Sequence, residues 1–587
     1  MRVRFKSLPP MLTRPAPRRP ELLAPAGSLD MMRTAFAYGA DAVYAGQPRY
    51  SLRVRNNSFG KLDVLAALAV SEGIQPLAVL LDPLPCQWVS ASLFDWMVPG
   101  VDIGRALDGS GYLEVVQEAA LRRPADTLVV VDPRADLDVS QLVALLRRGA
   151  RGAAVLPATR EFDGTLAGLG AADVGLARPW RILRDHPQED IDALPEELVV
   201  PRISGRTFAL PMSAFRAALG GGHARDVSEG VALEQFAARL ASLADAPTPI
   251  VLTRIRPVLD SPSVVVSRRA STAVSGVIQG SSESVSHIVH SAGFDIEGWT
   301  VDAAGLPAPV LSWIPPEEGA RRWAIRICAP AGRAGAVWGD THFAQGLAAA
   351  LRRRGEVVVI DAFDARDRAT SYLDDVTLVV RGPYPIDPPK TGVRIEWIIS
   401  HPDAISEAEV SAFDHVFAVS PRWADKASAQ WGRRIRPLLE ATDADLFYPR
   451  GRDRGEDIVF VGTARGIARP SVVTPLRAGI PVRVYGPDWR PFIPASAVVA
   501  TSIPNVDLSE RYETASIVLN DHWPAMRREG FMAMRPFDVV AAGGRVVSER
   551  VDGIEELFGG AVVAYDTEEE LLAILRLRVH RPARLVD

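Results

Sequence analysis

The chain has 587 residues, 48% of them hydrophobic and 23% charged, and a formal net charge of −5. That length exceeds what a single core fills and points to three or four domains. The mildly acidic balance offers no basic stripe for nucleic acid, and without a run of about 18 uncharged apolar residues no membrane span is expected.

Cys86 and Cys328 are the only cysteines. They lie far apart and outside any CxxC spacing, which fits a reducing cytoplasm and leaves neither a disulfide framework nor a thiolate zinc site. Residues 1–18 are basic and proline-rich. They lack the continuous apolar stretch of a signal peptide and read as a disordered tail. Residues 19–80 read as strand, helix, strand: "ELLAPAG", a helix capped by Ser28 or Asp30, then "DAVYAG". The motif "PELLAPAG…YGADAVYAG…SLR" resembles the start of the collagenase-like peptidase family, whose members include RNA-hydroxylation proteins. The resemblance stops near residue 80, and the family's cysteine-rich and catalytic portions have no counterpart. Two βα units cannot close an eight-stranded barrel, so no activity is carried over.

Residues 81–265 follow. "ADTLVVVDPRADLDVSQLVALLRRGARGAAVLPATREFDGTL" resembles the strand of family-2 GT-A glycosyltransferases that ends in a metal-binding Asp-x-Asp. Two carboxylates at a strand end hold a divalent cation, and the cation neutralises the diphosphate of a sugar donor. Here the site reads Asp132-Pro133-Arg134. "ISGRTFALPMSAFRAALGGG…SEGVALEQFAARL" resembles the acceptor-side helix of the same family, but its Glu-Asp pair is Glu229-Gly230. An acid has become a base and the expected catalytic base has no side chain, so a degenerate domain without metal is expected. The plainer reading of Asp132 is a residue that ends a strand. Residues 266–320, serine-rich and then proline-rich, read as a linker. His287 and His290 have ligand-like spacing but no acidic or cysteine companion and are taken as chance.

From Trp323 the α/β alternation sharpens into two halves, 321–450 and 451–587, each a series of short β-branched strands separated by helices. "IISHPD", "FAVSPRWADKAS", "LLEATDADLFYP", "DIVFVGTARG", "VYGPDW" and "REGFMAMRPFDVVAAGG" occur in the order seen in GT-B glycosyltransferases. They are most similar to the family-4-like and spore-maturation-protein-like group. The resemblance implies a twin Rossmann-like module, a nucleotide-sugar donor in the C-terminal half, an acceptor in the N-terminal half, and no metal or other cofactor.

The same resemblance places Glu529 at the mouth of a helix, against the donor sugar, and Asp538 on that helix, against the ribose diol. Read without the family, Glu529 favours its own helix dipole, Asp538 pairs with Arg535, and Gly543-Gly544 caps the helix. Arg465 and Arg469 follow the strand "DIVFVG", where guanidinium groups bind a diphosphate in a bidentate manner; as surface arginines they need no such role. Gly332 and Gly335 follow the first strand of the N-terminal half, where backbone can approach the donor or simply bend. His401 ends a strand on the acceptor side and is expected to serve as a general base or as a structural histidine.

The expectation is a cytoplasmic hexosyltransferase-like enzyme, with the GT-B module as the working part and the GT-A-like domain as its partner. The other reading is a non-catalytic binding or scaffold protein built from worn glycosyltransferase domains. The sugar, the acceptor (glycan, lipid or protein) and the choice between retention and inversion stay open.

Overall fold

The computed structural model describes residues 126–132, 134–176, 178–219, 229–259, 283–302 and 305–579, with four short strands earlier in the chain: Leu23–Pro25, Ala42–Tyr44, Leu77–Leu80 and Asp102–Arg105. Leu23–Pro25 pairs in parallel with Ala42–Tyr44, and Leu77–Leu80 with Asp102–Arg105. The first pairing is the one a strand–helix–strand unit needs. The basic tail, Pro133 and the side chain of Glu229 lie outside the described residues.

The middle domain is built on a five-stranded sheet in the spatial order Thr127–Val130, Phe208–Pro211, Ala154–Pro157, Pro249–Leu252, Glu197–Val199. Ala154–Pro157 and Pro249–Leu252 run parallel; the other neighbours are antiparallel. The helix Val139–Gly149 opens with a capping box, in which Asp138 accepts from the Gln141 backbone and Gln141 from the Asp138 backbone. Two N–H groups that the helix cannot satisfy internally are thereby bonded.

The stretch expected as a linker is in good part folded. It holds the helix Glu283–Ser291 and the antiparallel hairpin Phe294–Val301/Pro307–Trp313. Val285, Ile288 and Val289 recur at helical spacing, are buried, and join Phe294 and Leu311 in the middle-domain core. The serines and histidines between them occupy the solvent side of an amphipathic helix, which is why composition alone read as a connector. His290 pairs with Asp295 at 2.9 Å on the surface.

The C-terminal region contains two six-stranded, all-parallel sheets. The first runs Val357–Asp361, Arg322–Arg326, Val376–Arg381, Val393–Ile398, His415–Ala418, Ile435–Pro437. The second runs Val498–Ala500, Arg483–Tyr485, Ile458–Val461, Ile517–Asn520, Val546–Glu549, Val562–Tyr565. Numbered within each sheet, these are the orders 2-1-3-4-5-6 and 3-2-1-4-5-6, both doubly wound Rossmann-like arrangements. Helices cover both faces of such a sheet, so its strands are apolar runs and not alternating ones. Val376–Arg381 is buried at every position; each valine or leucine so buried contributes about 1.5–3 kcal/mol.

A buried ion network fastens the middle domain to the first of these sheets. His186 lies 2.8 Å from Asp190, Asp190 2.8 Å from Arg322, and Arg322 3.1 Å from Asp374. Arg368 continues the chain to Asp374 at 2.5 Å and Asp361 at 2.8 Å. None of these side chains is more than 2% exposed. Charges taken this far out of water are tolerable only when each meets an opposite charge or a hydrogen bond, and here each does.

Candidate active site

Strand order in the second sheet reverses between Ile458–Val461 and Ile517–Asn520. Ligands of doubly wound sheets bind outside the carboxyl ends at such a reversal. Two segments leave the strands there, residues 462–469 and 521–523. Glycine is required on the floor of this crevice. A Cβ on Gly486 would stand 2.1 Å from the Gly462 carbonyl oxygen, and one on Gly462 would meet an Arg535 Nη2 at 3.2 Å.

Three guanidinium groups gather at this point, each in a different state. Arg469 is 2% exposed and bonded at all three nitrogens: Nε and Nη2 donate to the Asp521 carboxylate, and Nη1 donates to the Thr463 carbonyl at 2.6 Å. It shapes the loop from inside. Arg535 donates to Asn520 Oδ1 at 2.7 Å and to the Val461 carbonyl at 2.6 Å; among the described residues it forms no direct ion pair, and Asp521 and Asp538 lie within its field. Arg465 holds a left-handed backbone, φ 59°, and stacks its guanidinium 4.6 Å from the Trp523 ring centre. Among the described residues it forms no ion pair. Burial, with Arg469 next to it, lowers its pKa to about 10.

The first sheet meets this cluster through His401. Its φ is 52°, its Nδ1 lies 2.8 Å from the Ser400 hydroxyl, and its ring centre lies 5.7 Å from that of Trp523. Burial, followed by the field of Arg381, holds its pKa below the ordinary 6.5, so the imidazole is neutral at pH 7. His401, Trp523 and Arg465 thus form one row of planar groups across the two halves.

The two acids are placed differently from the sequence expectation. Residues 524–541 are not one helix: Pro524–Glu529 ends at Gly530, φ 75°, and a second helix runs Arg535–Ala541. Glu529 therefore stands at a helix C-terminus, where the dipole disfavours an anion. Lys426 of the other half compensates it at 3.0 and 3.2 Å. Asp538 lies in the first turn of the second helix, 7% exposed, and accepts a 2.7 Å bond from the Thr442 hydroxyl at Oδ1. Burial pushes its pKa up to about 7, against the pull of Thr442 and Arg535.

Gly332 and Gly335 make their visible contacts elsewhere. A Cβ on Gly332 would touch Val258 of the middle domain at 3.5 Å, and one on Gly335 would stand 1.7 Å from the Pro330 carbonyl oxygen. Arg333 between them pairs with Asp136 at 2.5 Å, so this loop docks against the middle domain. In that domain Arg134 holds both oxygens of Asp132, by Nε at 3.0 Å and Nη2 at 2.7 Å. Among the described residues no cluster of His, Cys, Asp and Glu is arranged to hold a metal ion.

Trp523, Asn520, Thr442 and Lys426 were not singled out from the sequence, and Arg535 was read only as a partner of Asp538, with which it forms no direct ion pair among the described residues. "VLNDHW" gave a usable signal for two of them, since an apolar strand that ends in consecutive polar and aromatic residues marks a carboxyl-end rim. The others reach the site through long-range packing that no local pattern encodes.

Residues 469–585 match the family model of glycosyl transferase-like proteins, and residues 27–75 match that of peptidase family U32. A 41-residue stretch is 85% identical to tRNA hydroxylation protein P of Haemophilus influenzae and 83% identical to that of Escherichia coli, covering 7% of this chain and 9% of each relative. The chain thus spans less than a tenth of the length of those curated relatives. Similar solved structures include AviGT4, a glycosyltransferase involved in avilamycin A biosynthesis (14% identity, TM-score 0.31, covering 44% of this chain and 88% of that one). The T4 phage β-glucosyltransferase is another (13% identity, TM-score 0.31, covering 44% and 89%). The Rossmann-like assignment rests on the strand orders themselves. No helix among the described residues is long and apolar enough to cross a membrane.

Proposed function

We propose that the chain is a glycosyltransferase that takes a sugar from a nucleoside-diphosphate donor bound at the strand-order reversal of its second C-terminal sheet. The observation that carries this reading is Arg465: a partly buried guanidinium without an ionic partner, beside Arg535, whose hydrogen bonds go to neutral acceptors, at the place where such sheets bind ligands. The cluster seeks an anion, and a diphosphate with two adjacent charged groups fits it. The glycosyl transferase-like match over residues 469–585 begins just after Arg465 and takes in Arg469, Arg535 and Asp538, which supports the reading for that part of the cluster.

Within this reading Arg465 and Arg535 take the diphosphate, and Arg469 is a positioning residue that fixes their loop. Asp538 takes the ribose diol through the oxygen that Thr442 leaves free. Neutral His401 accepts a proton from the acceptor hydroxyl or orients it. Glu529 ties the two halves through Lys426 and reaches the donor sugar by exchanging that ammonium for a sugar hydroxyl. Guanidinium groups, not a metal ion, meet the diphosphate charge. Gly332 serves the docking of the middle domain, which supports the acceptor side, and Gly335 serves the tight turn after Pro330. Acceptor and stereochemistry stay open.

The test is thermal stabilisation of the full chain by UDP and GDP, since a ligand specific to the folded state raises the melting point by mass action. One of the two should stabilise it, and Arg465→Ala should weaken that nucleotide by about 10-fold or more. A chain that neither nucleotide stabilises is not a donor-binding enzyme and returns to the scaffold reading.

A further inference from the structure

Two carboxyl groups on the other wall of the cleft, Glu440 buried and Asp340 half-buried, have no part in the donor site just described. Asp340 lies in the first turn of the helix Gly339–Arg352, at the point where strand order in the first sheet reverses, between Arg322–Arg326 and Val376–Arg381. A Cβ on Gly382 there would fall 2.9 Å from Asp340 Oδ2 and 3.3 Å from the Cys328 sulfur. Glu440 begins the segment that leads into the second half and is 8% exposed. That segment sits between the two helices concerned: Thr442 bonds Asp538, and the Asp443 Cβ lies 3.2 Å from where a Cβ on Gly346 of the Asp340 helix would be. Gly339, next to Asp340, faces the Met534 methyl at 3.9 Å by the same measure. The junction between the two halves therefore brings together the elements that carry Asp340, Glu440 and Asp538.

Asp340 Oδ2 and Glu440 Oε2 are both buried without a hydrogen-bond partner, and among the described residues neither carboxyl has an ion-pair partner. Buried polar atoms are seldom left this way, and each such atom asks for a partner that the protein alone does not provide. After burial, the nearness of Asp538 and Asp340 pushes the Glu440 carboxyl further up, so acids cluster here without a counter-charge. Among the described residues they form no group arranged to hold a metal ion. A larger donor fits better. A hydroxyl would supply a hydrogen bond alone, whereas a primary ammonium supplies three donors and the opposite charge that lets carboxyls raised by burial ionise. The cleft then has a cationic pole at Arg465 and Arg535 and a pole of carboxyl groups at Asp340 and Glu440 that an ammonium would ionise, complementary to a ligand that carries a diphosphate and an amine.

We propose that Asp340 and Glu440 form a subsite for the protonated primary amine of an amino sugar bound in the cleft. The inference rests on the nucleotide-sugar reading. The amine arrives on the donor sugar or on the acceptor, and binding measurements on the full chain separate the two. With the nucleoside selected by the UDP and GDP comparison, the diphospho-glucosamine is compared with the diphospho-glucose by calorimetry. Glucosamine is likewise compared with glucose on protein saturated with the free nucleotide. Expected is an amine preference of about 10-fold or more in one of the two arms. The preference should fall to about 1 in Glu440→Gln and Asp340→Asn, with affinity for the free nucleotide within about 2-fold of the parent as the check on folding. Preference in the first arm places the amine on the donor, and in the second on the acceptor. No preference in either arm, or a preference that survives both substitutions, overturns the subsite and leaves the donor reading intact. Failure of UDP and GDP to bind at all overturns both.

Discussion

His401 and Arg465 hold left-handed backbone conformations, φ 52° and 59°, that non-glycine residues seldom adopt and that tend to persist where surrounding structure enforces them at a functional site. Both side chains meet Trp523, one from each half of the cleft. If His401 acts on the acceptor hydroxyl, His401→Ala lowers kcat by about 10²- to 10⁴-fold and leaves nucleotide affinity unchanged. Normal kinetics in that variant would make it a structural residue. Its pH dependence has a definite sign. Burial and Arg381 depress the pKa, so the neutral form persists below pH 6.5, and the acidic limb of kcat/KM should fall below that value and not above it. Asp132 gives the opposite prediction. With both carboxylate oxygens held by Arg134, Asp132→Ala and addition of a chelator should each leave transfer unchanged; loss of transfer in either would move the chemistry into the middle domain.

At the scale of elements, the strands of the two parallel sheets were legible because burial on both faces writes them as unbroken β-branched runs, as in "VTLVVR". Ile435–Pro437 and Val498–Ala500 were not. Each is a three-residue edge strand with exposed or half-buried positions, too short and too mixed to carry a period. The break at Gly530 escaped notice for a different reason. Phe531 and Met532 are 0% and 3% exposed, so the apolar pattern runs on through a stretch where the helix does not. Tertiary burial supplied the pattern, and the left-handed glycine supplied the break. Gly530→Ala tests this. Its φ of 75° strains any side chain, and the new Cβ would lie 3.0 Å from the Ser420 hydroxyl oxygen, which donates to the Glu529 carbonyl at 2.6 Å. The substitution should destabilise the chain by about 1 kcal/mol or more in denaturant titrations and loosen Glu529 from Lys426. An unchanged midpoint would show that the break is not enforced there.

The sequence divided the molecule into a worn domain, a linker and a working module, but the structure fastens these parts together. The candidate site was legible at Arg465, His401 and Asp538, which follow or lie near recognisable strands. What joins the domains was not, because Asp190 and Arg322 are 132 positions apart and each alone reads as an ordinary surface charge. Their pairing joins the middle domain to the first parallel sheet. Burial would raise the Asp190 carboxyl, but Arg322, with His186 and Arg368, outweighs it and holds the pKa below 3.8. A carboxyl whose folded pKa lies below its unfolded value contributes its full stability above about pH 4 and loses it as the pH falls through the folded value. Asp190→Ala removes that contribution at neutral pH and leaves Arg322 buried with Asp374 as its remaining acid, a loss of about 3 kcal/mol on the scale of broken buried pairs. Because the pair spans the domain junction, the loss should appear as a split of one denaturation transition into two, with middle-domain tryptophans such as Trp180 and Trp299 reporting the earlier one. Arg322→Ala should split it in the same way, and the double variant should cost less than the sum of the singles, since the two residues share one interaction. A single transition at the parental midpoint in Asp190→Ala would mean that the domains are coupled through their apolar contacts alone, and the network would then be an accommodation of buried charge, not the fastening between them.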